Sequence, residues 1–131
     1  MGRTEGRSRT VLLVEPSSVL RAVMEQLLRA EGYEVVGAES ADDALARLRG
    51  GLHPCLVLLD VIASRGGLRF RREQLRNRAL ARVPTVAFSG DHWLRAKAEH
   101  LGMPFLEKPI ELQSLLAHVA QYCARGPGRK S

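Results

Sequence analysis

The chain alternates between short apolar runs and longer stretches in which apolar residues recur every three or four positions. Thr10 to Val14 reads TVLLV, long enough for a buried strand and too short for a helix. Ser17 or Ser18 can then cap a helix in which Val19, Val23 and Leu27, beside Leu20, Met24 and Leu28, form adjacent stripes that end at Gly32. The unit repeats. Tyr33 to Ala38 reads as a second strand, Ser40 with Asp43 resembles a capping box, and Ala44, Leu45 and Leu48 give a second helix stopped by Gly50 and Gly51.

Cys55 to Leu59 is a continuously apolar third strand, as expected for one covered on both faces. Gly66 and Gly67 open a segment whose Leu68, Leu75 and Ala79 predict a third helix, with the intervening arginines packing their stems and exposing their heads. Pro84 to Ser89 is a fourth strand, Asp91 to Leu101 a fourth helix closed by Gly102, and Phe105 to Glu107 a short fifth strand. Ile110 to Tyr122 is a final amphipathic helix with Leu112, Leu115, Leu116 and Val119 inward. Strictly alternating strands and helices imply a parallel sheet, because right-handed crossovers place the helices on its two faces. The prediction is a three-layer, doubly wound α/β domain.

Composition changes this picture little. With 131 residues, 45% of them hydrophobic and 26% charged, the chain has the size and balance of one globular domain. No apolar stretch approaches a membrane span, and the N-terminus lacks the apolar core of a signal peptide. Cys55 and Cys123 belong to no ligand cluster and read as small core residues rather than a bridge, which suits a reducing cytoplasm. The formal charge of +6 raises the question of nucleic acid. Much of the excess lies at the two ends and in RGGLRFRREQLRNRALAR, where no aromatic interleaving suggests a stacking platform, so these runs read as solvated faces.

The ends of the predicted strands carry the chemistry. In open α/β sheets, ligands bind beyond the carboxyl ends of the strands. Those ends deliver Glu15, Asp60, Ser89 and Lys108. Two acids can hold a hard cation such as Mg²⁺, and a lysine with a hydroxyl can receive phosphoryl oxygens. Other chemistries fail: there is no GxxxxGK[ST] loop, no GxGxxG after a strand, no metal-ligand spacing among the four histidines, and Ser89 lies in FSGD rather than a GxSxG elbow.

In this order, LLVE, LVLLDV, VPTVAFSG and FLEKP resemble the receiver domain of bacterial two-component response regulators, over about residues 10–123. Residues 1–9 and 124–131 are then basic tails. The resemblance implies a flavodoxin-like sheet of order 2-1-3-4-5. It implies a signalling switch rather than an enzyme, with Asp60 accepting a phosphoryl group from a histidine kinase or histidine phosphotransfer protein. Glu15, Asp60 and the Ile62 carbonyl match the Mg²⁺ ligands, Lys108 the phosphate-binding lysine, and Ser89 with Phe105 the switch pair; the bond from Lys108 to Pro109 is usually cis in the family. The output surface would be the helix over 91–101, the fifth strand and the final helix; homodimers through those two helices are common in the family.

Two departures surround the metal. The family's acidic pair is reduced to Glu15 followed by Pro16, and the loop after Asp60 reads IASRGG instead of a type like MPGMDG. Weaker Mg²⁺ binding is expected. The alternative reading is a pseudo-receiver that signals through protein contacts without phosphorylation.

Overall fold

The computed structural model describes residues 8–61 and 66–124. Five strands, β1 (Thr10–Val14), β2 (Glu34–Ala38), β3 (Leu56–Asp60), β4 (Thr85–Ser89) and β5 (Phe105–Glu107), form one sheet of order β2-β1-β3-β4-β5. Every pairing is parallel. The helices are α1 (Ser18–Ala30), α2 (Ala41–Arg49), α3 (Gly67–Arg76), α4 (Arg78–Ala81), α5 (Arg95–His100) and α6 (Leu112–Tyr122), with a single 3-10 turn at His92–Leu94 before α5. The predicted doubly wound sheet and its strand order are therefore present.

Alternation along each strand splits the core in two. Leu12, Val14, Val57, Leu59 and Ala87 face α2, α3 and α5, where Leu45, Phe70 and Ala98 meet them. Val11, Leu13, Leu58, Val86 and Phe88 face α1 and α6, against Leu28, Leu115 and Val119. The central strands β1, β3 and β4 are buried on both faces, which is why they read as unbroken apolar runs.

Local chemistry sets the boundaries. Ser17 caps α1 by accepting from the Leu20 amide, and Ser40 caps α2 through the Asp43 amide. Gly32, at φ 96°, turns the chain after α1 into a backbone region that side chains rarely adopt.

Four expectations need correction. The helix predicted through Leu68 and Ala79 breaks at Asn77, whose extended backbone and side-chain oxygen cap a new turn at the Ala79 and Leu80 amides. Helical spacing could not show that Asn77 competes with the helix for its own amides. Arg71 does not expose its head: it is 7% exposed, its Nε donates to the Leu101 carbonyl at 2.9 Å, and Nη1 reaches Gln74 and Thr85. Of the residues predicted inward on the final helix, Leu115 and Val119 are buried but Leu112 is 40% exposed, and on α1 the docking covers the stripe with Met24 and Leu28 while Val19, Val23 and Leu27 remain 74%, 48% and 39% exposed. Finally, Cys55 and Cys123 form a disulfide. They lie 68 residues apart in sequence, but the start of β3 and the end of α6 meet with the Cα atoms 5.3 Å apart. The thiol argument for a reducing compartment falls with that bridge.

Candidate functional site

Parallel pairing brings the C-terminal ends of β1, β3 and β5 to one edge. Glu15 immediately follows β1 and continues its ladder, its amide donating to the Ala38 carbonyl at 3.0 Å. Asp60 ends β3 in register with Phe88. Lys108 follows β5, its amide donating to the Ser89 carbonyl at 2.8 Å, and the peptide bond to Pro109 is cis.

Three of the predicted side chains converge. The Lys108 Nζ donates to Asp60 Oδ2 at 2.8 Å and to Glu15 Oε1 at 3.5 Å. Both acids are buried, at 1% and 0% exposure, whereas the Lys108 side chain keeps 27% and reaches solvent. Its ammonium also stands 5.3 Å from the centre of the Phe88 ring. Sequence reasoning missed how Glu15 is held. Its other oxygen accepts the Ser17 amide at 3.0 Å, and Arg21 Nη1 donates to the Glu15 carbonyl at 2.6 Å. Pro16 has no amide to offer, so the first available donor is Ser17.

Burial raises the Glu15 pKa above the usual carboxylate value, and the hydrogen bond and negative charge of Asp60 add to it against the Ser17 amide and Lys108. For Lys108, burial acts to lower the pKa, but the hydrogen bond and charge of Asp60, with those of Glu15, outweigh it and raise it. The site is a cation held between two acids, one of which resists ionisation.

The remaining predicted residues sit apart. Alternation along β4 puts Ser89 on the face of Ala87 rather than that of Phe88, and its hydroxyl accepts the Asp91 amide at 3.0 Å. Phe105 is already buried, 6% exposed, beneath the Arg95 guanidinium at 5.0 Å. Arg95 also donates to the Phe105 carbonyl and pairs with Glu99. No sequence pattern separated Arg95 from its neighbouring cations. Ile62 lies outside the described residues.

Two buried carboxylates suit a hard, oxygen-seeking ion such as Mg²⁺ in kind. They are sparse in number: among the described residues no group of three or more His, Cys, Asp or Glu could hold a metal.

Comparisons with known proteins identify the family. The family model for the response regulator receiver domain matches residues 11–120. The transcriptional regulatory protein PdtaR of Mycobacterium tuberculosis is 33% identical over 110 residues, 82% of this chain and 53% of the relative. The chain thus spans about half the length of that relative. Protein PilG of Pseudomonas aeruginosa is 28% identical over 120 residues, 86% of this chain and 88% of PilG. Among solved structures, a response regulator from Chloroflexus aurantiacus superposes with a TM-score of 0.81 at 27% identity, covering 91% of this chain and 100% of that one. A receiver protein from Pseudomonas putida gives 0.78 at 28% identity, over 87% and 97% of the respective chains. With a family model spanning nearly the whole sheet and Asp60, Glu15 and Lys108 gathered at its C-terminal edge, the chain belongs to the response regulator receiver domain family.

Proposed function

We propose that the protein is a phosphoacceptor switch of two-component signalling in which Asp60 takes a phosphoryl group from a phosphohistidine. The observation that carries this reading is the Lys108 ammonium, 2.8 Å from Asp60 Oδ2. A carboxylate nucleophile facing a phosphoryl group needs positive charge where the equatorial oxygens develop theirs. Lys108 supplies it from a position that still opens to solvent. Glu15 and Asp60, with the Ile62 carbonyl, would hold Mg²⁺, which when bound adds further charge neutralisation. With Pro16 in place of a second acid, Mg²⁺ binds weakly. Ser89 would follow the phosphoryl group by releasing the Asp91 amide, and Phe105 would follow Ser89.

The donor, a histidine kinase or histidine phosphotransfer protein, would dock on the apolar surface nearest this edge. A groove of about 300 Å³ runs between α1 and α6, lined by Val23, Leu27, Pro109, Ile110 and Leu112, with Lys108 at its wall. The output partner would read α5, β5 and α6. A histidine kinase as partner would put the chain in the cytoplasm. No helix among the described residues is long and apolar enough to cross a membrane. The Cys55–Cys123 bridge pulls against that compartment.

The pseudo-receiver reading is favoured by Pro16, which stands beside Glu15 where a second acid would be expected. Trp93, the only tryptophan, separates the readings, because its 3-10 turn hangs from Asp91, whose amide Ser89 holds. Its fluorescence should shift slightly with Mg²⁺ and clearly when beryllium fluoride, a phosphoryl mimic, is added. Silence toward both favours the pseudo-receiver.

A further inference from the structure

Charge is segregated in this fold. Residues 67–101, which form α3, α4, β4 and α5, carry eight arginines and lysines against three acids, whereas the other described residues carry six against ten. Several of the excess cations have no acid within ion-pair distance among the described residues: Arg72, Arg78, Arg82 and Lys97 are all exposed and absent from every salt bridge. A groove of about 410 Å³ opens between α3 and α5, lined by Arg72 on one side and by Ala96, Lys97, His100 and Leu101 on the other. No carboxylate lines it.

The arginine-rich segment itself offers no exposed aromatic, since Phe70 is fully buried. The fold supplies one from elsewhere. Trp93, 61% exposed, lies four residues before Lys97 and seven before His100, the spacing that sets side chains on one face of a helical stretch. Cations along a groove, with an exposed aromatic at helical spacing from two of its lining residues, are the combination that holds single strands, the cations tracking phosphates and the ring stacking on a base. We propose that the face formed by α3 and α5 binds single-stranded nucleic acid, with Arg72 and Lys97 on the phosphates and Trp93 on a base. The groove shares no lining residue with the acid cluster of Glu15, Asp60 and Lys108.

The test uses the full chain and a labelled oligouridine of about 20 nucleotides, read by anisotropy and by Trp93 emission. Binding should quench Trp93 and weaken as salt rises. The Arg72→Ser/Lys97→Ser variant should lose at least about tenfold in affinity, and Trp93→Ala about tenfold, with single strands preferred over duplex only when Trp93 is present. Arg49→Ser on α2, and a variant with Arg3, Arg7, Arg125, Arg129 and Lys130 changed to serine, should each stay within about threefold. Binding that leaves Trp93 emission unchanged, that falls equally with Arg49→Ser, or that disappears with the basic ends would overturn the proposal. Undetectable binding at low salt would overturn it as well.

Discussion

Replacing Lys108 by methionine keeps most of the side chain's volume and removes the one charge shared by two buried acids. Glu15 and Asp60 are 1% and 0% exposed, so without the ammonium at 3.5 and 2.8 Å they would face each other uncompensated. Removing one partner of a buried pair costs about 3–5 kcal/mol; because Lys108 keeps 27% exposure, solvent screening lowers the expectation to about 2–4 kcal/mol. The loss must depend on pH. Burial and Asp60 raise the Glu15 pKa, so the neutral form of Glu15 favours the fold. That contribution is complete below the ordinary carboxylate value and disappears as pH rises through the folded-state value. Urea denaturation of wild type and Lys108→Met at about pH 7.5 and about pH 4 should show a large difference at the higher pH and a much smaller one at the lower. A loss below about 1 kcal/mol, or the same loss at both values, would refute the view that Lys108 compensates two buried charges.

Glu15→Gln should raise the urea midpoint of the wild type at neutral pH and change little in acid, where Glu15 is protonated, and it should recover part of the Lys108→Met loss. Pro16→Asp restores a second acid and should tighten Mg²⁺ binding at least about tenfold in a Trp93 titration; an unchanged affinity would show that the proline is not what limits the site. Arg71→Met removes the clamp on the Leu101 carbonyl, Gln74 and Thr85 and should cost about 2 kcal/mol in urea, leaving the Mg²⁺ response of Trp93 intact.

The strands were legible because β1, β3 and β4 are covered on both faces and so must be apolar throughout. Their polar termini were legible for the same reason: Glu15 and Asp60 stand out only against such runs. What sequence could not show depends on where elements meet. Val19, Val23 and Leu27 have the same helical period as Leu20, Met24 and Leu28, and only the docking of α1 on the sheet decides which stripe is covered. Ser89 shares a strand end with the acid cluster, yet alternation turns its hydroxyl to Asp91. Arg71 was one arginine among many until the carbonyl of Leu101 and the pair Gln74 and Thr85 surrounded it. Cys55 and Cys123 became partners only through the contact of β3 with α6.

Every role assigned to Glu15, Lys108 and Ser89 follows from Asp60 as the group that accepts phosphate. Intact-mass analysis after incubation with Mg²⁺ and a small phosphodonor, or with a phosphorylated histidine kinase, reads this directly. The wild type should gain the mass of one phosphoryl group, slowly, and Asp60→Asn should gain none. A wild type that never gains it with any donor, or an Asp60→Asn protein that still does, would contradict the account.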